Sequence, residues 1–144
     1  MCQVCAMTRT FDPARHLNNP DSARITETTD AAGNIFTVYG MDVGDTFRGN
    51  LTFRGDRDWV EISLDANTSY DITLSGQESG GGLTLLDPFL RVYNSSGTLV
   101  SSNDDAGFGT FESGLTFTTG STGGTFYISA GAYEGQYGDG DPLR

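Results

Sequence analysis

Trp59-Val60-Glu61-Ile62-Ser63-Leu64, followed closely by Tyr70-Asp71-Ile72-Thr73-Leu74-Ser75, alternates apolar and polar side chains almost without interruption. Val60, Ile62 and Leu64 point one way, and Glu61 and Ser63 the other. A period of two marks a strand with one face on a core and the other in water. The same reading extends outward in both directions. Upstream lie Ile35-Phe36-Thr37-Val38-Tyr39 and the stretch from Asp45 to Phe53. Downstream lie Phe89-Leu90-Arg91-Val92-Tyr93, Thr98-Leu99-Val100-Ser101, Gly114-Leu115-Thr116-Phe117-Thr118 and Gly124-Thr125-Phe126-Tyr127-Ile128-Ser129-Ala130. Asn94-Ser95-Ser96-Gly97 sits between two of them as a tight turn, with Gly where a positive φ is wanted. About eight short strands with regular turn signals predict an all-β chain: an antiparallel β-sandwich, jelly-roll-like, with no helix of consequence.

Composition agrees. The chain has 144 residues, of which 20 are Gly, and its apolar supply is rich in Phe, Tyr, Val, Ile and Leu. That length fits one domain and allows a real core without staples. The formal net charge is −11, all eight basic residues are Arg, and 14 of the 19 acids are Asp. A negative field repels phosphate backbones and anionic lipid, which argues against nucleic acid and membrane surfaces as partners. It suits cations, and Asp serves equally as a turn residue and as a hard-cation ligand. No apolar run approaches the ~18–20 residues needed to span a bilayer.

Residues 1–33 read differently from the rest, as a flexible leader and linker before a β-sandwich domain at 34–144. They lack a sustained period and carry Pro13 and Pro20. Asp12-Pro13-Ala14-Arg15-His16-Leu17 fits one helical turn, with Asp12 as N-cap and Pro13 at the first helical position. Met1 to Arg9 has no basic segment followed by an apolar one, so it is no conventional signal peptide. The chain is then either cytoplasmic or exported by a route needing no N-terminal signal. Cys2 and Cys5 form one C-x-x-C, readable as a non-catalytic tail, a redox pair, half a zinc site whose only histidine would be His16, or a site of lipid or intermolecular disulfide chemistry.

Candidate chemistry gathers in the breaks between strands: Asp56-Arg57-Asp58, Asp87-Pro88, Asn103-Asp104-Asp105 and Asp139-Gly140-Asp141. Calcium takes six to eight oxygens, which loops at one end of a sandwich can supply from distant positions. No EF-hand spacing or tandem calcium β-roll repeat is present, so cation ligands and plain turn aspartates both remain open. Nucleophile, metalloprotease, P-loop and dinucleotide fingerprints are absent.

Taken in order, Gly55-Asp56-Arg57-Asp58-Trp59-Val60, Tyr70-Asp71-Ile72-Thr73-Leu74, Leu86-Asp87-Pro88-Phe89-Leu90-Arg91-Val92-Tyr93-Asn94-Ser95-Ser96-Gly97, Asn103-Asp104-Asp105 and Gly124-Thr125-Phe126-Tyr127-Ile128-Ser129-Ala130-Gly131 resemble the bacterial pre-peptidase C-terminal domain. The likeness runs from about Asp45 to Tyr133. It implies a non-catalytic sandwich attached to secreted proteases and other exported hydrolases, aiding secretion, folding or substrate attachment. Some such domains bind calcium and some bind collagen. Carried over, Asp56, Asp58, Asp87, Asn103, Asp104 and Asp105 are the implied Ca2+ ligands. Phe11-Asp12-Pro13-Ala14-Arg15-His16 more faintly resembles leaders of calcium-dependent, type I-secreted proteins, implying an extracellular destination.

One departure stands out: the family pattern closes with a Gly-x-Tyr-x-Leu strand, whereas here the sequence ends Asp139-Gly140-Asp141-Pro142-Leu143-Arg144. A missing final strand predicts an open sheet edge and weak self-association. The expected partner is an attached or neighbouring hydrolase domain. The alternatives are a matrix- or carbohydrate-binding module using Tyr93, Tyr133 and Tyr137, with an extracellular protein or polysaccharide as partner, and the N-terminal part of a secreted metalloprotease.

Overall fold

The structure, a computed structural model, describes residues 23–52, 55–76, 85, 87–104 and 112–133, together with the backbone of 2–8. Among these are ten strands and no helix: β1 (Cys2–Thr8), β2 (Arg24–Thr26), β3 (Gly40–Met41), β4 (Thr46–Gly49), β5 (Arg57–Leu64), β6 (Ser69–Ser75), β7 (Pro88–Asn94), β8 (Leu99–Asn103), β9 (Ser113–Thr118) and β10 (Gly124–Ala132). They form two five-stranded sheets, β2-β4-β1-β6-β9 and β3-β5-β10-β7-β8. Pairing is antiparallel except at two short edges, where β2 runs parallel to β4 and β3 parallel to β5. The expected all-β sandwich is what forms.

The alternating strands place their apolar residues as the pattern predicts. Val60, Ile62 and Leu64 of β5 and Tyr70, Ile72 and Leu74 of β6 are buried, while Glu61, Ser63, Asp71 and Thr73 face solvent. With Phe47, Leu90, Val92, Ile128 and Ala130 they fill the space between the sheets. Ile72 is fully enclosed. Ile72→Ala is expected to cost about 3–4 kcal/mol through lost transfer and an unfilled cavity, read as a lower denaturant midpoint at unchanged slope. The β7–β8 connection is the expected tight turn. Gly97 takes φ 83°, and the Asn94 Oδ1 accepts N–H bonds from Ser96 at 3.1 Å and Thr98 at 3.0 Å.

Two parts of the chain fold otherwise than the pattern predicts. Ile35–Tyr39 is not a strand. The Asn34 Oδ1 accepts the Phe36 N–H at 2.9 Å and the Asn34 carbonyl accepts the Thr37 N–H at 3.2 Å, closing a local turn that competes with extended pairing. Phe36 and Val38 are left 81% and 85% exposed, and only Gly40–Met41 joins the sheet.

The segment expected as leader and linker contributes to the sandwich. β1 lies in the middle of its sheet, antiparallel to β4 over four residue pairs and to β6 over six. β2 borders β4, and Ala31 is buried in the core. The sheet edges are therefore β2 and β9 in one layer, β3 and β8 in the other. The Asp12–Leu17 turn, His16 and residues 134–144 lie outside the described residues.

Candidate functional site

The start of β5 carries an acid that the rest of the fold does not neutralise. Asp58 shares the inner face with Val60 and Ile62, and it is only 1% exposed. Neither of its carboxylate oxygens meets a donor group of the fold, and the Glu27 carboxylate is placed to share its proton. A buried, unpaired carboxylate is costly in its charged form.

Around it stand further acids. Glu27, Asp30 and Asp58 each offer a carboxylate oxygen within 4.8 Å of the others. Glu27 follows β2 at the edge of one sheet and Asp58 begins β5 of the other, so the cluster lies between the two layers. Burial, then the negative charges of Glu27 and Asp56, push the Asp58 carboxyl up to about 9. Asp56 is also raised, chiefly by burial and partly by Asp30.

Local structure holds this arrangement in place. The Glu27 N–H donates to the Arg48 carbonyl at 2.8 Å, anchoring the residue after β2 to β4. Its carboxylate accepts the N–H of Ala31 at 2.8 Å and of Asn50 at 3.0 Å, which fixes one oxygen toward each segment. Each oxygen keeps a further lone pair. The Tyr39 hydroxyl accepts the N–H groups of Thr28 and Thr29, both at 2.9 Å, and donates to the Thr29 carbonyl at 2.7 Å. The side chains of Thr28 and Thr29 lead in pulling Tyr39 down to about 8. The loop that carries Glu27 and Asp30 is thus pinned at both ends.

Gly49 opens the space beside Asp58. A Cβ there would lie 3.1 Å from Asp58 Oδ2, 3.2 Å from Phe47 Cε1 and 3.4 Å from Glu27 Cβ. The donors are all hard carboxylate oxygens, the set suited to calcium, magnesium or manganese rather than to zinc or copper. Three clustered carboxylates, one of them desolvated and without a donor, fit a divalent cation.

The structure sorts the six ligands implied by the resemblance. Asp58 belongs to the cluster. Asp56 is buried beside it but accepts the Thr52 N–H at 2.6 Å and the Thr52 hydroxyl at 3.1 Å, the pattern of a turn-closing aspartate. Asp87, Asn103 and Asp104 fall on the far side of the same sheet. The Asp58 row runs through Ala130 and Leu90 to Asn103, three strand spacings or roughly 14 Å away. There the Asp87 carbonyl accepts the Tyr133 N–H, Asn103 Oδ1 accepts the Gly114 N–H, and the Asp104 carbonyl accepts the Ser113 hydroxyl. Asp105 lies outside the described residues. At that separation Asp58 and Asn103 do not share one ion.

Glu27 and Asp30 are the acids that sequence reasoning passed over. Their signal was an E-x-x-D pair, Glu27-Thr28-Thr29-Asp30, followed at once by the small residue Ala31. Of the aromatics expected to be exposed, Tyr93 stacks on Trp59 with ring centroids 4.0 Å apart, and Tyr133 is exposed and stacks on Phe89. Tyr137 lies outside the described residues. No family model matches the chain. No curated protein matches it either.

Proposed function

We propose that this chain is a non-catalytic, calcium-binding accessory module of an exported hydrolase, aiding secretion, stability or substrate attachment. One observation carries the calcium reading: a fully buried Asp58 that no donor group of the fold serves, facing Glu27 and Asp30. Calcium supplies the charge that the fold withholds from these carboxylates, and its tolerance of irregular, oxygen-rich cages suits ligands drawn from a loop and a strand. Because Glu27 and Asp58 come from different sheets, the ion would tie the two layers together. The setting beside a hydrolase, and an extracellular location, are supported by the ordered resemblance to the pre-peptidase C-terminal domain.

Isothermal titration with CaCl2 tests the binding. The expected result is a saturable, single-site isotherm that disappears in Asp58→Asn and in Glu27→Gln. An isotherm unchanged by both substitutions would overturn the site. Gly49→Ala is expected to weaken calcium binding about tenfold, because the new methyl crowds Asp58 Oδ2, while the protein still melts cooperatively.

A further inference from the structure

A second set of unsatisfied groups lies on the opposite face of β5, and these are donors. In the sheet β3-β5-β10-β7-β8, Ser129 pairs with Trp59 on one side and with Arg91 on the other. Alternation turns all three away from the inter-sheet core, opposite to Val60, Ile128 and Leu90. Each carries a buried polar atom without a partner: Trp59 Nε1, Ser129 Oγ and Arg91 Nη1. Ser129 is 0% exposed and Trp59 is 6% exposed. An orphaned buried donor costs about 1–3 kcal/mol, and native folds tolerate few of them. Three side by side on one register row are a coherent feature.

The next row adds a second cation. Gly131 pairs with Arg57 and with Phe89. A Cβ on Gly131 would lie 3.4 Å from Arg57 Cγ, 3.5 Å from Arg91 Nη1 and 3.7 Å from Arg57 Nε. The bare glycine thus lets two arginines lie together across β10. Burial and the neighbouring Arg57 charge push Arg91 below its usual range. In a chain of net charge −11, neither arginine has an ion-pair partner among the described residues. Flat apolar surfaces flank them. The Trp59–Tyr93 stack lies on one side, and the Phe89–Tyr133 pair on the other, with Arg91 3.9 Å above the Phe89 ring.

We infer that Arg57, Arg91, Ser129 and Trp59 form a binding site for the carboxylate of an acidic sugar of the hexuronate class, held between these two aromatic pairs. Paired guanidinium groups match a carboxylate's two oxygens, the hydroxyl and indole donors complete its shell, and aromatic faces cover the apolar side of a sugar ring. The strongly negative surroundings disfavour a densely charged polyanion and leave a single acidic sugar unit as the ligand. The inference stands apart from calcium binding, because the two sites use opposite faces of β5.

Trp59 is the only tryptophan, so intrinsic fluorescence reports directly on the site. The protein is titrated with glucuronate, and separately with glucose, acetate and N-acetyl-aspartyl-glycine, all in excess calcium. The expected result is a saturable change with glucuronate and none with glucose. Binding should fall about tenfold or more in Arg91→Gln and in Arg57→Gln, the loss of one charge-assisted bond. If Arg91→Gln fails to fold, Arg57→Gln carries the comparison. No saturable change with glucuronate, or equal affinity in the folded variants, overturns the site. Acetate or the acidic dipeptide binding as tightly as glucuronate overturns the sugar assignment.

Discussion

Calcium at about a hundred times its dissociation constant should raise the melting temperature by roughly 10 °C, and Asp58→Asn should erase that rise. Binding to the folded state alone contributes about 2.7 kcal/mol at this excess, and each kcal/mol moves a domain of this size by about 3–4 °C. The variant makes the prediction sharp, because its effect reverses sign with conditions. In chelator, Asp58→Asn should melt higher than the native chain. It removes a carboxylate that is buried among Glu27, Asp30 and Asp56 and replaces it with a neutral amide able to donate to Glu27. In calcium it should melt lower. Differential scanning calorimetry in both buffers checks this. A native protein indifferent to calcium, or an Asp58→Asn variant that is less stable in both buffers, would count against the site.

The second large effect concerns pH. In chelator, stability should fall as pH rises from 5 toward 9. Asp58 titrates near 3.9 in an unfolded chain and is pushed up to about 9 in the folded one. Between those values the folded state holds a proton that the unfolded state has released. Stability therefore declines with rising pH, by about 1.4 kcal/mol per unit for one proton, or about 3 kcal/mol between pH 5 and pH 7. Asp56, also raised, adds in the same direction. Saturating calcium should oppose the trend, since the ion competes with that proton and binds more tightly as pH rises. Urea melts at pH 5, 7 and 8.5, with and without calcium, give the comparison. A native slope that Asp58→Asn leaves intact would assign the proton elsewhere.

The sandwich was legible wherever its determinants are local. In β5 and β6 the apolar residues keep strict step, and one face has nowhere to go but the core. Ile35–Tyr39 shows where that logic stops. It is rich in β-branched and aromatic residues too, but Asn34 offers the backbone a nearer partner, and the chain turns. β1 was illegible for a different reason. Cys2–Thr8 has no clear period, and its place is set by pairing with β4 and β6, far along the chain. The acidic site divides the same way. Asp58 was found because it sits beside a recognisable strand. Glu27 and Asp30 were not, because only the three-dimensional return of a polar loop to β5 makes them its neighbours.

The central placement of β1 bears on how this molecule can be handled and how it comes together. Without residues 2–8, the layer β2-β4-β1-β6-β9 has no continuous ladder: one fragment is β2-β4 and the other is β6-β9. During synthesis these residues must therefore wait for partners that emerge much later before their ladder can close. A deletion or an inserted tag within them is then an alteration to the keystone of that layer, whereas the same change at an edge strand would touch only its border.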